Sequence, residues 1–127
     1  MNNNDEIKNA SKVVLLGESG VGKTCIINRF INDSFSEDEH SSVIPTFTTK
    51  TMTFDEFQGK NLKFEIWDTA GQEKYRAVNK LFYTDAEVAI LLYDITEENS
   101  FREIKQYWYQ QIKEYASKDI SKKLYNF

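Results

Sequence analysis

Four stretches of the chain carry the apolar patterns of β-strands. Residues 13–16 and 88–93 are continuous apolar runs, which are typical of strands buried on both faces of a parallel sheet. Residues 47–54 and 61–68 alternate between apolar and polar positions, which predicts two strands joined as a hairpin through residues 55–60. The pattern therefore predicts a strand, then a hairpin, then a further strand.

Two segments have the spacing of amphipathic helices. Residues 23–31 place apolar side chains on one helix face. A second helix is predicted over residues 101–116, with Trp108 in its apolar stripe and the Asn-Ser pair at 99–100 as its cap. The alternation of strand, helix, hairpin, strand and helix predicts an α/β layered domain.

The polar stretches of the chain are predicted to be a tail and two loops. Residues 1–10 are expected to form a disordered N-terminal tail, which leaves residues 11–127 as the domain. Residues 32–44 and 69–79 are predicted loops, and the second has weak helical character toward its end. Loops of this length inside a compact domain are usually functional.

Composition and charge narrow the functional class. The 127 residues fit one domain, and a net charge of −4 argues against a nucleic-acid partner, which would need a basic surface. The single cysteine, Cys25, excludes an intramolecular disulfide and suits a reducing compartment. No apolar run approaches the ~20 residues needed to span a bilayer. A cytoplasmic protein is therefore expected.

Residues 17–24 match the phosphate-binding pattern G-x-x-x-x-G-K-[ST] in full. Gly17 and Gly22 allow the backbone to curl its N–H groups around an anion, and Lys23 supplies a cation for the β- and γ-phosphates. The Thr24 hydroxyl is a candidate Mg²⁺ ligand. The pattern alone does not distinguish ATP from GTP. The candidate nucleotide-binding residues of this segment are Gly17, Glu18, Ser19, Gly20, Val21, Gly22, Lys23, Thr24 and Cys25, the last of which is assigned to packing rather than chemistry.

A second motif, D-T-A-G-Q-E, begins at Asp68 directly after the predicted strand 61–68. Downstream of a phosphate loop, this motif resembles that of the Ras-superfamily small GTPases. The resemblance implies a P-loop doubly wound open sheet with strand order 2-3-1-4-5-6. It also implies that Asp68 holds Mg²⁺ through water, that the Gly71 N–H meets the γ-phosphate, and that Gln72 is catalytic because it orients the attacking water.

Several segments resemble the Rab branch of that superfamily. They are a strand ending in Trp67, the Lys-Tyr-Arg run at 74–76, and the Leu-Leu-Tyr-Asp-Ile-Thr run at 91–96. Phe47, Trp67 and Phe82 fall at the places of an effector-facing aromatic triad. Core packing is the alternative for all three; it is preferred for Phe47 and Phe82 and evenly matched for Trp67.

The Rab resemblance implies a molecular switch in vesicle trafficking that hydrolyses GTP. Its ligands would be GTP or GDP with Mg²⁺, and its partners would be exchange factors, GTPase-activating proteins and effectors. A monomer is expected if the chain folds.

The first switch loop leaves two candidates for the hydroxyl that senses the γ-phosphate. Counting forward from Thr24 and counting back from Phe47 in the family pattern both give Ser42. Thr46, which follows Pro45, is the alternative, although its spacing differs from the family's. Ser42 would add a second hydroxyl ligand for Mg²⁺ beside Thr24.

The guanine-reading N-K-x-D pattern does not occur in the sequence. The domain is therefore expected to be truncated after its third main helix, with the last strands and helices missing. The strand at 88–93 should then be an unpaired apolar edge. Selectivity for guanine over adenine should fall, and no C-terminal cysteine is present for a lipid anchor.

The expected truncation and the missing N-K-x-D pattern leave two alternative functions to consider. The first is a non-catalytic fragment or decoy that binds Rab regulators through residues 75–79 and the surface around Trp67. The second, weaker alternative is an ATP-using P-loop enzyme.

Overall fold

One mixed sheet organises the part of the chain that the computed structural model describes, namely residues 10–33, 46–69, 85–115 and 121–126. Within these residues the strand order is β2-β3-β1-β4-β5. Only the β2–β3 pair is antiparallel; β1 pairs in parallel with β3 and β4, and β4 with β5. The strands are β1 (Ala10–Leu16), β2 (Thr46–Phe54), β3 (Lys60–Asp68), β4 (Val88–Tyr93) and β5 (Ser121–Asn126).

Helical segments lie between β1 and β2 and between β4 and β5. Helix α1 (Lys23–Asn32) follows β1. After β4, helix α2 (Glu98–Glu103) continues through a π-helical turn (Ile104–Trp108) into α3 (Tyr109–Tyr115). No helix in the described ranges is long and apolar enough to cross a membrane.

One helix and one strand begin earlier in the chain than the sequence predicted. The helix expected from residue 101 begins at Glu98, so the Asn-Ser pair at 99–100 lies inside its first turn and the expectation that this pair caps it is wrong. The Ser100 hydroxyl instead donates to the main-chain oxygen of Glu97 and accepts a hydrogen bond from the Asp94 N–H. Strand β1 begins at Ala10, which the sequence placed in the tail, because the main chain from Ala10 onward already pairs with β3.

The hairpin between β2 and β3 forms where it was predicted. The connection contains a 3₁₀ turn at Asp55–Phe57, and Gln58 and Gly59 then adopt positive φ angles of 58° and 70°. Such angles reverse the chain in a tight turn and suit glycine best. The register runs from Phe54 opposite Lys60 to Thr46 opposite Asp68.

The predicted α/β doubly wound open sheet is confirmed, but the expectation that β4 forms an unpaired edge is wrong. Strand β5 pairs with β4 along its whole length, from Val88 opposite Ser121 to Tyr93 opposite Asn126. The sequence did not indicate this strand because its run Ser-Lys-Lys-Leu-Tyr-Asn lacks the apolar continuity of a buried strand. Lysines are typical of an edge strand, where they discourage pairing with another chain.

Hydrophobic clusters cover both faces of the sheet and fix the strand ends that carry the loops. Successive residues of β1 point to opposite faces, so Val14 and Leu16 pack against the helix that follows β4, whereas Leu15 packs on the α1 side. All three are at most 3% exposed. The carboxyl ends of β1 and β3 therefore lie side by side, with the loops after them at the same edge.

Candidate nucleotide site

The loop at 17–22 has the backbone that an anion site needs. Gly17, Gly20 and Gly22 have positive φ angles of 155°, 83° and 103°. Gly22 is the N-cap of α1, and no side chain caps this helix. The first-turn N–H groups of a helix are the donors that phosphates use, and the helix dipole adds positive charge there.

Gly17 is the point at which the loop touches β4. A Cβ atom built on Gly17 would lie 2.4 Å from the main-chain oxygen of Leu92 and 3.2 Å from a methyl group of Val21. The first contact is with backbone, which cannot rotate away. Only glycine therefore fits at this position, and the close approach fixes the start of the loop against the sheet.

The Lys23 ammonium lies across the inside of the loop. Its Nζ atom donates to the main-chain oxygens of Gly17 and Glu18, at 2.9 Å each, and the residue is 6% exposed. Burial lowers the pKa of Lys23 from 10.5 to about 8, while the carboxylates of Asp68 and Glu18 limit the drop. A buried ammonium that donates to main-chain carbonyl oxygens keeps its full charge and is a strong binding group for a polyanion.

The lowered pKa of Lys23 predicts a pH-dependent stability of the ligand-free chain. The unfolded chain holds this proton up to about pH 10.5, whereas the folded chain releases it near pH 8. Between these values the unfolded state binds more protons, so the free energy of unfolding should rise with pH, by about 3 kcal/mol from this group. Urea unfolding from pH 7.5 to 10.5 should show the rise in the wild type relative to Lys23→Met. A constant difference between the two proteins would contradict it.

Asp68 and Thr24 meet beside this loop. The Thr24 hydroxyl donates to Asp68 Oδ2 at 2.5 Å, and Asp68 is 4% exposed. The contact depends on the parallel register, which sets Asp68 opposite Leu15. The fully buried Thr69 adds a second link between the ends of β3 and β1, because the Thr69 hydroxyl donates to the main-chain oxygen of Leu15 at 2.6 Å. The start of the second motif is thereby brought against the phosphate loop.

Comparison with known protein families agrees with this geometry. The sequence model of the Ras family matches residues 12–126, which is most of the chain. The chain belongs to the Ras family. It is therefore a small GTPase of the Ras superfamily, a class of proteins that act as switches by binding GTP and GDP with Mg²⁺.

The donor set of this Ras-family site suits Mg²⁺. A hydroxyl and a carboxylate, from Thr24 and Asp68, are hard oxygen ligands of the kind that Mg²⁺ prefers. Among the described residues, no group of three His, Cys, Asp or Glu side chains could hold a metal ion. Mg²⁺ usually keeps several water molecules and binds through one or two protein ligands plus substrate phosphates, so these two residues fit it.

The remaining predicted site residues divide between described and undescribed parts of the chain. Ser42, Gly71 and Gln72 lie outside the described residues, as do His40, residues 74–79 and Phe82. Thr46, the rival switch hydroxyl, is the first residue of β2, and its main chain lies opposite Asp68 in the ladder. In the phosphate loop and the first turn of α1, Ser19 and Gly20 are exposed, Val21 is buried in the α1-side core, and Cys25 is half-buried.

Phe47 and Trp67 form an exposed aromatic pair. Their rings stack with centroids 4.7 Å apart at 26°. Phe47 is 55% exposed, so the preference for core packing at Phe47 is wrong. Trp67 is partly buried, and its indole donates to Glu65 at 2.8 Å. Ladder pairing places Phe47 opposite Trp67, which explains why residues 20 positions apart in the chain meet here.

Sequence reasoning missed one contact of the loop. The Trp108 indole donates to Glu18 Oε1 at 2.9 Å across 90 residues of sequence. The sequence placed Trp108 only in an apolar helix stripe and Glu18 only as a variable position of the phosphate motif. No local pattern pairs these two residues, because their meeting depends on how the helix after β4 packs on the sheet.

Proposed function

We propose that this chain binds GTP and GDP with Mg²⁺, hydrolyses GTP, and works as a Rab-type switch in vesicle trafficking. The observation that carries the proposal is the meeting of the buried Lys23 ammonium with the Thr24–Asp68 pair at one end of the sheet. Phosphoryl transfer depends mainly on positioning and electrostatic stabilisation, and these groups supply both for a triphosphate. The single cysteine suits the reducing cytoplasm, which is the proposed location.

Each residue has a separate part in the proposed chemistry. The N–H groups of the loop hold the phosphate oxygens, and Lys23 neutralises charge on them. Thr24 and Asp68 hold Mg²⁺, which when bound stabilises the negative charge that develops on the transferred phosphoryl group. By family resemblance, Gly71 adds a further N–H donor and Gln72 orients the attacking water.

The Rab assignment rests on sequence resemblance and on one surface. The segments that resemble Rab proteins include the strand ending at Trp67, and the stacked Phe47–Trp67 pair offers an exposed aromatic surface for an effector. Exposed aromatic rings are enriched where proteins bind one another. Guanine selectivity is proposed from membership of the Ras family, since the 127 residues contain no N-K-x-D pattern. Competition between GTP and ATP measures it directly.

Replacing either proposed Mg²⁺ ligand should remove the effect of Mg²⁺ on nucleotide binding. Thr24→Val keeps the shape of the side chain and loses the hydroxyl, and Asp68→Asn keeps the shape and loses the charge. We expect each to lower GTP affinity in 5 mM Mg²⁺ by about 100-fold and to make affinity insensitive to EDTA. Titration with a fluorescent GTP analogue, in Mg²⁺ and in EDTA, measures both effects.

Thr53→Val is the matched control for the Mg²⁺ experiment. The Thr53 hydroxyl donates to Asn61 at 2.6 Å on the exposed hairpin, so this variant loses a similar bond away from the site. Its affinity should equal that of the wild type. Single-turnover phosphate release in Mg²⁺ then tests hydrolysis. Wild-type chain that binds no GTP, or binds it equally well in Mg²⁺ and EDTA, would refute the proposal.

A second candidate is a binding module that engages Rab regulators or effectors without hydrolysing GTP. The observation that favours it is the 55% exposure of Phe47, since an aromatic surface can bind a partner whatever the state of the nucleotide site. A chain that binds nucleotide with a cooperative thermal transition but releases no phosphate would support this module over the enzyme.

A further inference from the structure

The side chain of Trp108 is packed in the hydrophobic core, and its indole N–H contacts the phosphate loop. The residue is fully buried. The ring of Tyr107 lies edge-on to the indole, with the ring centroids 4.9 Å apart. Its neighbours in the same core come from β1 and β4, including Val14, Leu16 and Leu91. An indole fixed by this packing has little freedom, so its N–H points in one direction.

Trp108 closes the π-helical turn Ile104–Trp108. Such a turn is rare, is usually found as a single turn inside an α-helix, and often occurs at functional sites. It adds a residue to the helical repeat and so changes the direction of the side chains around it. In this chain the turn lies between α2 and α3 and ends at the residue whose indole reaches the phosphate loop.

Glu18 connects this indole to the cation of the site. Its carboxylate accepts the hydrogen bond from Trp108 at 2.9 Å. Its main-chain oxygen accepts one from Lys23 at 2.9 Å. One residue of the loop is therefore held at its side chain by the core and at its main chain by the ammonium that would meet the phosphates.

We propose that Trp108 is a positioning residue for nucleotide: through Glu18 it holds the phosphate loop in the shape that grips the phosphates, and it thereby slows nucleotide release. The inference rests on the proposed nucleotide-binding function and adds a residue outside the known motifs. Loss of the indole–carboxylate bond removes the hold of the core on the Glu18 side chain, so the loop has more order to regain each time a nucleotide binds.

A purely structural role is the competing explanation. A buried indole N–H usually has a hydrogen-bond acceptor, whether or not that acceptor also takes part in ligand binding. That role predicts lower stability when the bond is removed and an unchanged rate of nucleotide release. The two explanations therefore differ in kinetics, and the acceptor is the better residue to change because Trp108 fills the core.

The decisive experiment compares two changes at Glu18. Glu18→Ala removes the acceptor, whereas Glu18→Gln keeps an oxygen at the same place. The rate of release of a fluorescent GDP analogue from the full chain in Mg²⁺ is measured for each. We expect release from Glu18→Ala to be about tenfold faster than from wild type, the order expected for losing a hydrogen bond to a charged acceptor. Glu18→Gln should restore most of the wild-type rate.

The chain offers a matched control at its other tryptophan. The Trp67 indole donates to Glu65 at 2.8 Å, the same kind of bond outside the phosphate loop. Glu65→Ala should leave GDP release unchanged. The chain has two tryptophans, so an ¹H–¹⁵N spectrum contains two indole signals. Glu18→Ala should shift the Trp108 signal alone, and Glu65→Ala the Trp67 signal alone.

The outcomes separate this inference from the proposed function. Wild-type chain that retains no GDP would refute the proposed function, and the inference with it. Wild-type chain that binds GDP, together with a Glu18→Ala variant whose Trp108 signal has moved but whose release rate is unchanged, would overturn the inference alone. Release from Glu18→Gln as fast as that from Glu18→Ala, while the Trp108 signal of Glu18→Gln stays at its wild-type position, would also overturn it.

Discussion

Replacing Lys23 with methionine should weaken binding of GTP about a thousandfold, and binding of GDP, which lacks the γ-phosphate, about thirtyfold. The Lys23 residue is 6% exposed and its ammonium lies inside the loop, so solvent screens its attraction for phosphate only weakly. Its loss removes charge-assisted hydrogen bonds to two phosphate groups, worth roughly 2 kcal/mol each, which together correspond to about three powers of ten in affinity.

The ligand-free fold should tolerate the Lys23 change. Desolvation already holds the pKa of Lys23 at about 8, which means that burying the charged group opposes folding at neutral pH. Methionine has a similar length and no charge to desolvate. Thermal melting without nucleotide should therefore show a transition at or above that of the wild type, so weak binding can be attributed to the site and not to unfolding.

Lys12→Met is the control for charge. Lys12 pairs with Asp85 at 2.6 Å, away from the phosphate loop, and the substitution changes the net charge by the same amount. Its affinity for GDP, measured by calorimetric titration, should equal that of the wild type. An affinity of Lys23→Met within tenfold of the wild-type value would contradict the placement of this ammonium at the phosphates.

Replacing Gly17 with alanine should destabilise the folded chain by about 3 kcal/mol and abolish nucleotide binding with it. The added methyl group would lie 2.4 Å from the Leu92 oxygen, and φ at Gly17 is 155°. Overpacking against backbone costs roughly 1–3 kcal/mol, and a positive φ adds about 1–2 kcal/mol for a residue with a Cβ atom. The loop must move away from β4 to relieve the contact, and its N–H groups would move with it.

Comparison with Gly20→Ala separates the cost of the contact with Leu92 from the cost of a positive φ angle. Gly20 also has a positive φ, of 83°, but nothing lies within 4 Å of a Cβ built there. We expect this variant to lose only about 1–2 kcal/mol, from the positive φ alone. Urea unfolding of the two variants beside the wild type gives both values. Equal losses would show that contact with Leu92 does not constrain the loop.

The phosphate loop and its neighbouring elements could be predicted from the sequence because their signals are local. A run of eight residues specifies the loop, and the apolar run before it and the helical spacing after it fix the strand and helix that it joins. Strand β4 was predicted with its observed limits for the same reason, since a continuous apolar run is typical of a strand buried on both faces.

Strand β5 and the π-helical turn after β4 could not be predicted from the local sequence pattern. The six residues of β5 are a strand because β4 offers them a hydrogen-bonding edge, and nothing in their own pattern requires it. The π-helical turn at Ile104–Trp108 is likewise not visible in the apolar spacing, which fits an ordinary helix. Packing against the rest of the molecule decides both features.

By itself, the sequence determined the phosphate loop, the buried strands and, through the D-T-A-G-Q-E motif, the membership of the Ras superfamily. Only the tertiary structure decided that Thr24 meets Asp68, that Phe47 is exposed on Trp67, and that Trp108 holds Glu18. The physical reason is distance along the chain. A motif of adjacent residues carries its geometry in its own backbone, whereas contacts across 44 or 90 residues exist only once the strand register and helix packing have been set.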